Sequence, residues 1–402
     1  MIFRFLNTNE PVTTFYRDLV PALLAEGHEV EIYMSSAQYR EKRGFEELFN
    51  GTPGVSTHKL YSGPLKNYKG FVSKGLAHLL FAIHGFFRMC FTRKVDVNVY
   101  LTQPPFYYLT GKIIRYLKGT DYFVVVMDLQ PDEYVEFGLM KRDGFLTNFL
   151  AKKTANSFKS AKGIIVIGRC MANVVESKGV SKKNIHFIPN WTTETTIRPV
   201  PIAENKLRDS MGWQEKFVII YGGNIGNAQF FGDFVDLAAE MSDQPDIIFC
   251  LIGGGMRFDK IAEEKKSRKI TNLEMLPFMH DKYSLAEIYG AGNANFISLR
   301  PDCTGLGVPS KAYVSLAAGR PIIFQGSAES EIARLVSEEN IGLAVQTKEN
   351  LKAAILKLHN NPTLCDEYGA KARQLSDTKY STASSCKKYV DLLSTNETLD
   401  LA

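Results

Sequence analysis

Short apolar runs recur along this chain, separated by longer stretches with helical spacing. The first half holds Ile2–Leu6, Val30–Met34, Val95–Leu101, Tyr122–Met127, Gly163–Ile167 and His186–Ile188. The second half holds Phe217–Tyr221, Ile247–Ile252, Leu273–Leu276, Asn295–Leu299, Pro321–Phe324 and Leu343–Val345. These runs are rich in β-branched and aromatic residues and mostly do not alternate with polar ones, as parallel strands buried on both faces require. Between them, apolar positions such as Phe15, Leu19, Val20, Leu23 and Leu24 repeat with the helix period. Strand and helix in alternation predict an α/β chain of doubly wound sheets. The pattern lapses at Asn190 to Asn205, where Pro199 and Pro201 bracket Val200 and a linker is expected. The 402 residues also exceed what one core usually supports. The expected domains are therefore 1–195 and 205–377.

Lys74 to Thr92 departs from this pattern, being almost wholly apolar but too short and interrupted to span a bilayer. On a helix, Lys74, His78, Gly85, Arg88 and Thr92 fall on one narrow stripe. That suits a helix lying among lipid headgroups; a buried helix packed on a sheet is the alternative. Charge adds weight to the first reading. The first 200 residues carry 26 Lys and Arg against 17 Asp and Glu, and the rest carry 22 against 26. A basic first half suits an anionic membrane surface, and no basic–aromatic stripe of the nucleic-acid kind accompanies it. Six dispersed cysteines without a CxxC pair suit a reduced, cytosolic setting and no metal centre. Met1 to Leu6 reads as a first strand rather than a signal sequence.

Candidate chemistry gathers at strand ends. Glycine turns follow three strands of the second half, at Gly222–Gly226, Gly253–Gly255 and Gly305–Gly307. Their spacing does not match the dinucleotide fingerprint and no Walker lysine is present. Three such turns at successive strand ends suit one polar ligand across that wall. In Arg300–Gln325, Ser310 stands where an N-cap belongs, a short alanine-rich helix follows, and Gly319 stops it. Free backbone N–H groups beside Arg300 and Lys311 suit a phosphate; an ordinary loop with turn glycines is the bland reading. In the first half, Asp128-Leu-Gln-Pro-Asp-Glu133 places three carboxylates past a strand end. Asp128 is the candidate base or sugar-hydroxyl ligand, and Asp132 and Glu133 are expected to cap the next helix. The first loop, Asn7 to Thr14, lacks glycine, so an anion there would meet side chains.

With these motifs in view, the chain resembles the family-4 retaining glycosyltransferases of the GT-B fold, especially bacterial enzymes of O-antigen, capsule and exopolysaccharide synthesis. The resemblance rests on Gly27-His-Glu-Val30, Met127–Glu133, Ile185–Trp191, Tyr221–Gly226, Leu251–Gly255, Gly305–Lys311 and Ala317–Pro321, in that order. It implies two doubly wound Rossmann-like domains facing a central cleft, with a C-terminal helix, 378–402, packing back on the first. It further implies retaining transfer, without metal or other cofactor, from a nucleoside-diphosphate sugar (a UDP-sugar favoured). The implied acceptor is a polyprenyl-diphosphate-linked or other cell-surface glycan at the cytoplasmic membrane face. Asp128, Arg300 and Lys311 become the expected catalytic groups. Gly223, Asn224, Gly226, Gln229, Gly253, Gly254, Pro277, Phe278, Thr304, Gly305, Leu306, Gly307 and Ser310 become the expected donor contacts. The chain departs from the family pattern at Leu306 and Val314, where most members place two glutamates. It departs again at Asn224 and Gln229, which replace an Arg and a Lys. A membrane-associated module that binds a nucleotide sugar without turnover is the expectation from another class.

Overall fold

Every apolar run named above forms a strand, and all the strands pair in parallel. The computed structural model describes residues 1–7, 13–35, 49, 51–63, 71–192 and 196–394. The chain divides into two units, Met1–Ile188 with Cys386–Ala402, and Pro189–Ser385. The glycine-free first loop falls largely outside the described residues, as does the end of the C-terminal segment.

The first unit runs β1 (Ile2–Asn7), α1 (Thr13–Ala25), β2 (Glu29–Ser35), β3 (Val55–Leu60), α2 (Phe71–Phe91), β4 (Val97–Leu101) and α3 (Leu109–Lys118). It continues with β5 (Asp121–Val126), α4 (Asp132–Glu136), α5 (Phe145–Ser160), β6 (Gly163–Val166), α6 (Arg169–Ser177) and β7 (Ile185–Phe187). The sheet order is β3-β2-β1-β4-β5-β6-β7. Only β3 escaped the sequence pattern: Val-Ser-Thr-His-Lys-Leu is a half-exposed edge strand, so it never forms an apolar run.

The second unit runs α7 (Lys206–Met211), β8 (Phe217–Asn224), α8 (Gly232–Glu240), β9 (Ile247–Gly254), α9 (Phe258–Ser267), β10 (Leu273–Leu276) and α10 (Leu285–Gly290). There follow β11 (Ala294–Ser298), α11 (Lys311–Ala317), β12 (Ile322–Gln325), α12 (Glu331–Glu338), β13 (Gly342–Val345), α13 (Lys348–His359) and α14 (Pro362–Asp377). Its sheet order is β10-β9-β8-β11-β12-β13. Within β8, Phe217, Ile219 and Tyr221 enter one core while Val218 and Ile220 enter the other. Burial on both faces by strict alternation explains why the run looks uniformly apolar. The last helix, α15 (Thr382–Ser394), returns to the first unit. There Tyr389 meets Phe15 of α1 edge-on at 5.1 Å, and His28 Nε2 lies 2.8 Å from Ser394 Oγ.

Both sheets reverse strand order between their first and fourth members, β1/β4 and β8/β11. Loops at the carboxyl ends of such a pair diverge and open a crevice for ligand. In the second unit the divergence is marked. β8 keeps register with β9 from Phe217 to Asn224, but with β11 only at Ile219 and Ile220. The β11 side of Tyr221–Asn224 is thus free for a side chain or a ligand.

The structure gives the apolar helix one face on the sheet, as the sheet-packed alternative has it. In α2, Ala77, Phe81, Gly85 and Met89 are buried, and a Cβ on Gly85 would fall 2.2 Å from Tyr107 OH. The part of the stripe that carries Gly85 therefore turns toward the sheet. Of its members, Arg88 is exposed, Gly85 is buried, and His78 and Thr92 are half-buried. The opposite face, with Leu76, Leu79, Ile83, Phe87 and Phe91, is exposed, Phe91 at 85%. Glycine and alanine, which carry no hydrophobic signal, share this inward contact with Phe81 and Met89.

Candidate functional site

Three loops at the β8/β11 crevice build a site in the second unit. At the end of β8, the stretch from Gly222 to Gln229 folds tightly: Gly223 has φ +122°, and the Gly226 N–H donates to Gln229 Oε1 at 3.0 Å. Gln229 is thus engaged within its own loop. At the end of β9, Gly253 has φ +154° and lies against the β8 backbone, where a Cβ would fall 1.9 Å from the Gly223 oxygen. Close main-chain approach demands glycine here. At Gly254 a Cβ would come 3.2 Å from the Phe278 ring. Phe278 and Pro277 are exposed past β10, and Phe278 stacks on His280 at 5.6 Å.

After β11, the Arg300 N–H donates to Ala228 O at 2.9 Å and its Nη1 to Asn227 O at 3.2 Å. Its Nη2 pairs with Asp302. Arg257, following β9, donates to Gln229 O at 3.0 Å. Asn227, Phe230, Arg257, Arg300, Pro301 and Asp302 enclose an open concavity of about 500 Å³. Arg257 was missed by sequence reasoning, although a cation directly after Gly253-Gly-Gly-Met256 was the available signal.

Farther along the loop, Thr304 presents a buried Oγ1 with no hydrogen-bond partner, and Gly305 has φ +80°. Leu306 is buried with its N–H donating to Cys303 O, and Gly307 is half-buried. Val314 packs against the core that contains Val218 and Ile220. Apolar packing therefore fills both positions where most of the resembled family has glutamates. Ser310, expected as an N-cap, is helical in backbone (φ −61°, ψ −21°) and makes no side-chain cap bond. The next residue, Lys311, carries the charge of this segment.

Lys311 Nζ lies 3.9 Å from the centroid of the Tyr221 ring and donates to the Tyr221 hydroxyl. Tyr221 OH in turn donates to Asn224 O. No carboxylate among the described residues pairs with this amine, and burial pushes it down to about 7. A desolvated ammonium without a counter-ion favours any anion that can reach it.

Asp128 belongs to the first unit, beyond β5. The Met127 and Asp128 N–H groups donate to Thr102 Oγ1 at 3.0 and 3.2 Å, and Gln103 Nε2 donates to Asp128 Oδ2 at 2.9 Å. Burial raises Asp128, an effect tempered by the Gln103 bond. Burial and the charge of Asp128 push Glu133 up to about 8. Glu133 is therefore Asp128's electrostatic partner, and α4 has no side-chain cap bond at its N-cap, so the capping expectation fails. Asp132 instead pairs with Lys178 Nζ at 2.7 Å. The Glu133 carboxyl binds a proton more tightly folded than unfolded, so stability falls as pH rises from about 4.5 toward 8. Glu133→Gln should raise Tm by several degrees at about pH 8 and leave it nearly unchanged at about pH 4, as a calorimetric pH series would show.

Two doubly wound parallel sheets, ordered 3-2-1-4-5-6-7 and 3-2-1-4-5-6, are the architecture of the GT-B fold, and solved glycosyltransferases share it. Over 98% of this chain and 100% of the other, the structure superposes on Anabaena Alr3699/HepE in complex with UDP with TM-score 0.74 at 13% identity. It also matches WaaG, a glycosyltransferase of lipopolysaccharide biosynthesis, with TM-score 0.68 at 15% identity over 98% of this chain and all of that one. In sequence, the chain is similar to bacterial proteins that carry glycosyltransferase names. WbjE of Pseudomonas aeruginosa, which carries a glycosyltransferase name, is 29% identical over 297 residues, 72% of each chain. WcaI of Escherichia coli K12, named for a glycosyl transferase of colanic acid biosynthesis, is 23% identical over 93% of this chain and 94% of its own. No family model matches the chain.

Proposed function

We propose that this protein transfers a sugar, with retention, from a UDP-sugar to a polyprenyl-diphosphate-linked or other cell-surface glycan at the cytoplasmic membrane face. The observation that carries the donor half is Lys311. Its amine, paired with no carboxylate among the described residues, stands at a glycine-walled strand end on the switch point where doubly wound sheets bind ligand. Leaving diphosphate develops charge as the glycosidic bond to the sugar breaks, and fixed cations stabilise it best in a dry site. Lys311 and Arg300 supply that charge in this reading, with Arg257 beside them. Phe278, flat and exposed, offers a stacking face for the base. The structurally similar HepE, solved with UDP and with UDP-glucose, supports uracil as the base. Asp128, with its elevated affinity for protons, accepts or orients an acceptor hydroxyl.

The membrane half rests on α2, α3 and α5, which lie side by side on the first unit. Most of the exposed large apolar side chains among the described residues sit on these three helices. Besides the α2 ridge they include Tyr116 at 89% on α3, and Phe145 at 88%, Leu146 and Phe149 on α5. Exposed Arg88, Lys112, Arg115, Lys152 and Lys153 surround them. Apolar ridges flanked by cations match the headgroup boundary of an anionic bilayer. No helix among the described residues is long and apolar enough to cross a membrane.

Because the diphosphate is met by lysine and arginine, transfer to a lipid-linked acceptor should persist in excess EDTA, and product NMR should show the donor's anomeric configuration kept. Loss of activity in chelator with recovery in magnesium would refute the metal-free mechanism; an inverted product would refute retention.

A further inference from the structure

We propose that Tyr221 is a positioning residue of the donor site: it holds the Lys311 ammonium at the end of β8 with its remaining N–H groups left for the arriving diphosphate. The inference rests on the reading of this crevice as the donor site. Tyr221 has one hydroxyl proton, and it is spent on Asn224 O. The phenol oxygen is therefore left as an acceptor, and Lys311 takes it. The ring cannot readily swing away, since Tyr221 is fully buried and meets Phe231 edge-on at 4.7 Å and 85°. It serves as a fixed post for a flexible four-carbon stem.

The lane along which Lys311 lies is also built. Gly223 leaves it open, with a would-be Cβ 3.5 Å from Lys311 Cε. On the far side Tyr289 OH is tied to Gly222 O at 2.8 Å. Among the described residues, the titratable group in contact with the amine is Tyr221 from β8, and the Tyr289 hydroxyl from α10 lies, like the amine, within 4 Å of a would-be Cβ on Gly223. Burial raises both phenols far above neutrality, so neither can supply a negative charge. A cation–π contact and one hydrogen bond to a neutral oxygen fix the ammonium in place but leave two of its N–H groups unused. Diphosphate oxygens can take those two without loss of the first. Tyr221 then sets where the charge waits, and the anion completes its coordination.

A nucleotide sugar suits the test because both its phosphates are esterified and stay ionised across neutral pH. Affinity of the full-length protein for UDP-glucose, measured calorimetrically between about pH 6 and 9, should fall as pH rises through the Lys311 titration, by up to about ten-fold per unit. Lys311→Met should bind weakly and without that pH dependence. Tyr221→Phe keeps the ring and loses only the hydroxyl. It should bind about ten-fold more weakly, with the falling limb displaced by at least about half a pH unit and Tm close to wild type. Wild-type affinity and pH profile in Tyr221→Phe, alongside an impaired Lys311→Met, would overturn the role of Tyr221 and leave the donor site standing. Absence of wild-type binding to both UDP and UDP-glucose would instead overturn the donor reading. A second measurement needs no Tyr221 variant. In 15N-lysine-labelled protein, the Lys311 resonance, identified by its loss in Lys311→Met, should titrate near neutrality when free and stay protonated beyond about pH 8 with UDP-glucose. A resonance unmoved by UDP-glucose contradicts the proposal.

Discussion

Lys311→Met is expected to lower sugar transfer by about 100- to 1000-fold, the loss typical when a fixed electrostatic stabiliser of the transition state is removed, while making the protein more stable. The two effects have one cause. An ammonium held in a desolvated site without a carboxylate costs folding energy, and burial lowers its proton affinity to about 7. The unfolded chain binds that proton up to about pH 10.5, so the penalty is largest below pH 7 and fades as pH rises. Methionine has nearly the same shape and no charge, so Tm should rise by several degrees at about pH 6 and hardly at about pH 10. Parallel turnover assays and calorimetry check both halves. A variant both inactive and destabilised at low pH would make Lys311 a structural residue.

The second large effect concerns the bilayer. Phe87→Asp with Phe145→Asp should reduce binding to vesicles containing about 30% anionic lipid by about 100-fold. Each ring offers an exposed face on a different helix, Phe87 at 55% and Phe145 at 88%. Burying such a side chain in acyl chains is worth about 1.5–3 kcal/mol, and each new carboxylate adds repulsion from the anionic surface. Neither side chain contributes to the core, so the variant should fold normally. Co-sedimentation across a lipid titration reads the effect. Either unchanged partitioning of the variant or failure of the wild type to sediment would remove the membrane surface from the account.

Legibility in the sequence followed burial. Doubly buried strands such as Tyr122–Met127 announce themselves because both faces are apolar, and glycine turns at strand ends mark where backbones converge. The edge strand at Val55–Leu60 is hidden because it is half-exposed and partly polar, and the inward face of α2 because alanine and glycine share it with Phe81 and Met89. Among site residues, Lys311 was visible as a cation in a glycine-punctuated loop. Its hold by Tyr221 was not, since a tyrosine 90 residues away in an apolar strand reads only as core. Glu133 was misjudged as a cap because the tight path from β5 into α4 returns it electrostatically to Asp128. Arg257 stands two residues past the Gly253–Gly255 run, where a lone cation gives no periodic signal.

Thermal shift of the full-length protein against UDP, GDP, ADP and dTDP tests the central claim most directly. UDP, at concentrations well above its Kd, should raise Tm by several degrees through selective binding to the folded state. It should do so above the other three, and the rise should be largely lost in Lys311→Met. No stabilisation by any of the four, or an equal rise in Lys311→Met, would contradict a donor diphosphate held at this crevice.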